Sequence, residues 1–144
     1  MLKKQGNSRS ELLDKAPPSN CEMEKQLLGG LWVTERDVDR DRLLKWLDEK
    51  DFFDPFHQFM FRELKAIASL EIPMVSTAII QSMLERGTLK RARNRFHDNI
   101  QHDIGSMLAD GIDCRAHFKY YAETIRRFRI QRAHIQIATD VLQL

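Results

Sequence analysis

The chain has 144 residues, of which 42% are hydrophobic and 31% are charged, and its formal net charge is +2. This length suits one domain with a buried core and leaves no room for a second full domain. The composition excludes wholesale disorder but excludes neither an enzyme nor a binding module. The two cysteines, Cys21 and Cys114, are too few for a disulfide-stapled secreted scaffold.

The N-terminal segment, residues 1–18, is polar and ends in Pro17-Pro18. Because prolines resist helix formation and apolar residues are few, we expect a disordered tail here. The sequence has no apolar run of the length that a signal peptide or a membrane span requires. We therefore expect a cytoplasmic protein that makes no membrane contact.

The remaining chain has the apolar spacing of successive amphipathic helices and no alternating strand pattern, which predicts an all-α fold. A first helix is expected to start at Ser19 or Asn20, because a short polar side chain can accept a hydrogen bond from the first turn. Gly29-Gly30 within this helix costs about 1 kcal/mol per glycine relative to alanine. The pair therefore indicates either a close neighbouring backbone or a break in the helix.

Three further helices are expected in the head of the molecule. The second runs from about Asp37 to Lys50, and Asp54-Pro55 starts the third, because Asp caps the helix and proline suits its first position. Ile72-Pro73 ends or interrupts the third helix. The fourth is capped by Ser76 and closed by Gly87. Their predicted inward side chains are Val38, Leu43, Leu44, Trp46 and Leu47; then Phe56, Phe59, Met60, Leu64 and Ile67; then Ala78, Ile79, Met83 and Leu84.

The second half of the chain has the pattern of a helical hairpin. Helical spacing covers residues 93–109 and about 113–142, with a turn at Asp110-Gly111. We therefore expect a small helical head, residues 19–90, followed by a long α-helical hairpin, residues 93–142. The last helix carries more apolar side chains than a small head can cover, which predicts a partner helix from this or another chain. Its apolar stripe is Phe118, Tyr121, Ala122, Ile125, Phe128, Ile135 and Leu142.

Several short motifs between residues 17 and 132 occur in an order and at spacings that are typical of one protein family. They are Pro17-Pro18 followed by Glu22 and Leu28-Gly29-Gly30-Leu31; Asp51-Phe52-Phe53 followed by His57 and Phe61-Arg62-Glu63; Ile72-Pro73; Leu84-Glu85-Arg86-Gly87-Thr88-Leu89; and Tyr121-Ala122 with Ile125-Arg126. In this order they resemble the N-terminal helical domain of DnaB-type replicative DNA helicases.

The sequence departs from that family's pattern in two places. The family usually has a glycine pair followed by an aromatic residue and a leucine where this chain has Arg93-Asn94-Arg95-Phe96-His97-Asp98. The family also continues through a linker into a RecA-like motor, whereas this sequence stops at Leu144. No G-x-x-x-x-G-K-[ST] motif is present to hold phosphates, so we expect neither enzymatic activity nor a cofactor.

The resemblance implies a non-catalytic role in DNA replication. In the family, this domain pairs through its helical hairpin, forms a collar on the hexameric ring, and offers a surface to primase and loading factors. We therefore expect this chain to associate with itself, as a dimer or a larger oligomer, and with primase, helicase or a helicase loader. The side chains predicted at this interface are Phe118, Tyr121, Ile125, Phe128 and Ile135.

An arginine cluster in the last helix supports an alternative function. Residues 87–144 carry 10 Lys and Arg against 6 Asp and Glu, and a small basic protein could use this excess to bind DNA. The contacts would come from Arg126, Arg127, Arg129 and Arg132. The simpler interpretation is a solvated flank whose arginine stems cover apolar surface, with weak or indirect DNA contact.

Two patterns could indicate a metal-dependent hydrolase, the least favoured function. His57 lies in sequence near two aspartates, but without a nucleophile or metal group it is expected to be structural. Cys114 and His117 have a spacing that zinc ligands can use, and further ligands could only come from residues such as His102 and Cys21. No metal site is therefore expected.

Overall fold

The computed structural model describes residues 16–34, 38–68, 76–111 and 115–144, apart from the side chains of residues 76, 77, 115 and 116. Within these ranges the chain forms seven α-helices, one short 3₁₀ helix and no strand, which confirms the all-α prediction. The helices are α1 Cys21–Val33, α2 Val38–Trp46, the 3₁₀ helix Glu49–Asp51, α3 Pro55–Ala68, α4 Ser76–Glu85, α5 Thr88–Arg95, α6 Ile100–Ala109 and α7 Arg115–Leu142. Most of the predicted tail, residues 1–15, and the predicted Ile72-Pro73 break lie outside the described residues.

Local capping sets two of the helix starts as the sequence predicts. Before α1, the side-chain oxygen of Asn20 accepts a hydrogen bond of 3.0 Å from the backbone N–H of Met23. Before α3, the Asp54 carboxylate accepts one of 2.8 Å from the backbone N–H of Phe56. Gly87, with a φ of 72°, ends α4 in the left-handed conformation that favours glycine.

The core is built around α1, which packs against α3, α6 and α7. Leu27, Leu28, Leu31 and Trp32 of this helix have no exposed surface. Burying a large apolar side chain stabilises a fold by about 1.5–3 kcal/mol, so this central helix organises the domain. The side chains that complete the core include Leu44, Leu47, Phe52, Phe61, Leu64, Ile79, Met83, Ile100, Ile104, Met107, Phe118 and Ile125.

Three side chains that were predicted to face inward are exposed. Val38 is 70% exposed because it lies at the first residue of α2, a helix of nine residues that buries its apolar side through Leu44. Leu84 is 51% exposed because it follows the buried Met83 and points about 100° away from it around α4. Trp46 is 42% exposed, and its ring is covered by an arginine of α7 rather than by the core.

The glycine pair in α1 marks a close approach of two backbones, and the helix continues through it. A Cβ atom placed on Gly29 would overlap the carbonyl oxygen of Met107 and lie 2.8 Å from the Cα of Gly111. A Cβ atom on Gly111 would in turn overlap the backbone of Gly29 and Gly30. Of the two predicted alternatives, a close neighbouring backbone is therefore the right one and a helix break is not. The close contact fixes α1 against the end of α6.

The first arm of the hairpin is shorter than predicted. Residues 88–95 form the separate helix α5, and α6 begins at Ile100 instead of Arg93. The chain turns between the two helices because Phe96 packs into an aromatic cluster of the head. Its ring centroid lies 5.5 Å from that of Phe56 and 5.6 Å from that of Phe59, both in edge-to-face geometry.

Candidate interaction surface

The first half of the long helix α7 belongs to the core of the domain. Phe118, Ala122 and Ile125 are 2%, 0% and 1% exposed. The hydroxyl of Tyr121 on the same face donates a hydrogen bond of 3.2 Å to the side-chain oxygen of Gln26 in α1. Residues one turn apart thus dock this part of α7 along α1.

The second half of α7 leaves large apolar side chains in solvent. Ile130, Ile137 and Val141 are 49%, 62% and 60% exposed, and we call these three residues the distal stripe. They lie on one side of the helix because seven and four residues complete close to whole turns. Phe128 and Ile135 are half-buried on another side of the same helix.

The predicted interface residues therefore fall into two groups. Phe118 and Ile125 lie in the core of this chain and offer no surface to a partner. Tyr121, Phe128 and Ile135 keep part of their surface accessible. An interface that uses α7 stays a prediction, and the surface left for it lies in the second half of the helix.

A buried aspartate at the 3₁₀ helix holds the middle of α7. Asp51 has no exposed surface, and its carboxylate accepts hydrogen bonds of 2.9 Å from Arg126 and 3.1 Å from Arg129. It also accepts one of 2.8 Å from the backbone N–H of Asp48. Burial alone would raise the pKa of Asp51, but the hydrogen bonds from Arg126, Asp48 and Arg129 outweigh it and lower the pKa below its ordinary value.

Arg126 and a third arginine, Arg132, make further intramolecular contacts that fix α7 to the rest of the domain. The Arg126 guanidinium stacks on Trp46, 3.5 Å from the centroid of the ring. It also donates a hydrogen bond to the carbonyl oxygen of the same tryptophan. Arg132 donates hydrogen bonds of 2.8 Å to the carbonyl of Pro18 and 3.2 Å to that of Asp51. Burial lowers the pKa of the Arg132 guanidinium.

The arginine cluster is thus used largely within the chain. Arg126, Arg129 and Arg132 contact Asp51, and Arg127 donates a hydrogen bond of 3.2 Å to the hydroxyl of Thr124. The structure therefore differs from a solvated flank. DNA contact through these residues stays a prediction, although their guanidinium groups already have partners.

A shallow open groove begins where α7 leaves the head. It is lined by the partly exposed Trp46 and by Ile130, the first residue of the distal stripe. The groove connects the anchored part of α7 to the part that carries exposed apolar side chains. The residues that line it are Trp46, Glu123, Arg126, Arg127, Ile130, Gln131 and His134.

His57 lies in the first turn of α3 and contacts a buried carboxylate of α1. Its ring nitrogen Nδ1 is 2.9 Å from a carboxylate oxygen of Glu24, which is 1% exposed. The other oxygen of Glu24 accepts a hydrogen bond of 2.8 Å from the backbone N–H of Phe53. Glu24 therefore joins α1 to the start of α3, and these contacts give His57 a structural position.

The candidate zinc ligands lie only partly within the described residues. Cys114 lies outside the described residues, and among the described ones no group of three His, Cys, Asp or Glu side chains could hold a metal ion. His102 lines an open cleft with Lys25, Asp54 and His57.

In the described ranges, no helix is both long and apolar enough to span a bilayer.

Comparison with protein-family models decides the family. The DnaB-like helicase N terminal domain matches residues 16–127, which is most of the chain. The chain belongs to this family. The part of DnaB that is matched is the non-catalytic N-terminal domain. The resemblance in the sequence motifs is thereby confirmed.

Two known proteins are similar to this chain. The replicative DNA helicase DnaB of Buchnera aphidicola subsp. Baizongia pistaciae (strain Bp) is 27% identical over 126 residues, which cover 88% of this chain and 25% of that protein. The chain thus spans about a quarter of the curated relative's length. The crystal structure of the N-terminal domain of DnaB helicase from Mycobacterium tuberculosis has a TM-score of 0.66 at 22% identity, covering 89% of this chain and 86% of that one. This second likeness shows the fold.

Proposed function

We propose that this chain is a non-catalytic interaction and oligomerisation module of a replicative DNA helicase, acting in DNA replication in the cytoplasm. It contributes to the N-terminal collar of the helicase and offers a docking surface for primase or a loader. Family membership supports this role, since the DnaB-like helicase N terminal domain matches residues 16–127. Nucleotide hydrolysis is assigned to other parts of the assembly.

The distal stripe is the observation that carries the self-association part of this proposal. Ile130, Ile137 and Val141 are each about half exposed or more. Covering such side chains contributes about 1.5–3 kcal/mol each when burial is complete. A soluble domain gains this energy by pairing the stripe with a second amphipathic surface.

A second copy of α7 fits the stripe in shape and chemistry. Ile130 and Ile137 are seven residues apart, which is the repeat that places side chains along one helix–helix seam. Two copies related by a twofold axis would present the same stripe to each other, so each exposed isoleucine acquires a partner. His134 lies on the same side of the helix as the stripe and would enter the seam with it, whereas Asp140 flanks the stripe and would remain at the rim.

Sedimentation velocity and light scattering over a concentration series test the proposal. We expect the wild-type chain to associate as its concentration rises, and the double variant Ile130→Asp/Ile137→Asp to remain a monomer, because two buried carboxylates would oppose pairing. Both positions are at least about half exposed in the single chain, so at low concentration, where both proteins are monomers, the variant should retain the wild-type circular dichroism spectrum and unfolding midpoint.

Gln136→Asp/Ala138→Asp is the matched control, because it adds the same two charges on either side of Ile137, at exposed positions outside the stripe. We expect this variant to associate like the wild type. A wild-type chain that stays monomeric at every concentration, or equal loss of association in both variants, would contradict the proposed role of the distal stripe.

A further inference from the structure

The segment from Arg86 to His97 carries the densest positive charge of the molecule. Among its twelve residues are five Lys and Arg residues and no Asp or Glu. Four of the five are arginines. The segment covers the short turn after α4, the helix α5 and the start of the turn that follows it.

The geometry of α5 turns this charge toward solvent. Thr88, Leu89 and Ala92 form the buried side of the helix, so the remaining positions face outward. The exposed or half-exposed cations, which we call the basic patch, are Arg86, Lys90, Arg91, Arg93 and Arg95. The four cations on α5 itself are spread over about half of the helix circumference, and Arg86 lies in the turn just before it.

Most of the basic patch has no acidic partner among the described residues. Arg91 is paired with Glu63, at 2.7 Å. Arg95 lies over the ring of Phe96, 5.3 Å from its centroid, and this contact leaves its charge unneutralised. In the described part of the chain, no ion pair involves Arg86, Lys90 or Arg93.

Helix stability explains only a fraction of this charge. Cations in the last turn of a helix interact favourably with its dipole, and this accounts for Arg93 and Arg95. It does not account for Lys90 in the first turn of α5, where a positive charge is unfavourable. Mutual repulsion of the four cations that have no ion pair among the described residues further opposes folding, so the patch costs stability that a ligand would recover.

The chemistry of the patch indicates a phosphate-bearing ligand. A planar guanidinium donates two parallel hydrogen bonds to a phosphate, and arginines predominate here. Between Arg86 and His97 no large apolar side chain is exposed, so the surface lacks the anchor that a peptide would use. We propose that the basic patch binds the phosphate backbone of DNA without sequence preference.

This surface is distinct from the arginines of α7 and from the distal stripe. The α7 arginines are held by Asp51, whereas α5 packs on α4 and α6. Variants in the basic patch therefore leave the proposed self-association surface unchanged. DNA binding can fail while self-association persists, and the reverse also holds.

Fluorescence anisotropy with a labelled oligodeoxythymidine of about 20 nucleotides tests the proposal on the full chain. We expect binding at low salt that weakens as salt rises. Four phosphate contacts give a slope of about −3 for the logarithm of the binding constant against that of the salt concentration. In the triple variant Lys90→Gln/Arg93→Gln/Arg95→Gln, the affinity should fall at least about tenfold and the slope should shrink by about 2.

The matched control removes the same charge elsewhere. Arg42, Lys45 and Lys119 are exposed on α2 and α7, so Arg42→Gln/Lys45→Gln/Lys119→Gln should change the affinity less than about twofold. A duplex of equal length and a polyglutamate peptide are measured under the same conditions. Absence of DNA binding at low salt, equal losses in the two triple variants, or tighter binding of polyglutamate than of DNA would overturn the proposal.

Discussion

The two halves of α7 have the same secondary structure but different environments. In the first half, Phe118 and Ile125 are almost fully buried, and Arg126 and Arg129 bind the buried carboxylate of Asp51. In the second half, from residue 130 on, the apolar side chains are largely exposed. The first half is therefore part of the fold of one chain, whereas the second half is available to another molecule.

This difference shows that the sequence pattern of a helix does not reveal what covers it. The apolar spacing runs through both halves, and only the tertiary contacts separate core residues from surface residues. An isolated helical segment is marginally stable in water unless its apolar face is packed. The second half should consequently depend on association for its rigidity more than the first half does.

The largest expected effect comes from removing a core side chain of the first half. Ile125→Ala deletes buried methyl groups and leaves a cavity beside α1, which should lower the free energy of unfolding by about 2–5 kcal/mol. Ile137→Ala makes the same chemical change in the second half, and it should alter the free energy of unfolding of the monomer by no more than about 0.5 kcal/mol. Urea unfolding at low protein concentration measures both values. Similar losses in the two variants would remove the distinction between the halves.

A smaller effect is expected at the carboxylate that joins α7 to the 3₁₀ helix. Asp51→Ala leaves Arg126 and Arg129 without their acceptor, and breaking a buried ion pair costs about 3–5 kcal/mol. The two arginine side chains are 26% and 36% exposed and remain partly hydrated, so the expected loss is at the lower end, about 3 kcal/mol. Thermal or urea unfolding measures it.

Asp39→Asn is the control for this carboxylate. The Asp39 side chain is 81% exposed, so this variant should change the free energy of unfolding by less than about 0.5 kcal/mol.

Hydrogen exchange measures the loss of this contact locally. In Asp51→Ala the amides near Arg126 should exchange faster, because the middle of α7 has lost its anchor. Unchanged protection there would show that the apolar contacts alone hold the helix.

The smallest expected effect is a dependence of stability on pH. The pKa of Asp51 is lower in the folded chain than its ordinary value near 3.8. Its ionised form therefore adds stability that is fully present above about pH 4 and is lost as the pH falls through the folded-state pKa. We expect Asp51→Asn to lose less stability than the wild type between about pH 5 and about pH 3. Parallel curves for the two proteins would contradict this assignment.

Local chemistry made several helix boundaries predictable. Asn20 and Asp54 cap the helices that follow them, and both act through neighbours no more than three residues away. Gly87 ends α4 through a backbone conformation that favours glycine. The glycine pair at residues 29 and 30 likewise indicated a close backbone, although its partner could not be named from sequence.

The contacts that shape the interaction surface were not predictable in this way. Asp51 and Arg126 are 75 residues apart, and nothing near either residue identifies the other. The turn before α6 was missed because residues 93–99 contain neither glycine nor proline. Asn99 precedes that helix but makes no side-chain capping bond, so the available signal was weak. What moves Phe96 into the head is a tertiary aromatic contact.

The contact between Gly29 and Gly111 ties two distant positions into one constraint. A methyl group at either site meets main-chain atoms of the opposite segment, which cannot rotate away as a flexible side chain would. No single replacement on the facing segment can relieve the overlap, because the obstacle has no side chain to shorten. The separation between α1 and the turn after α6 is thus as short as two facing glycines allow, and larger residues at either position would force the two segments apart.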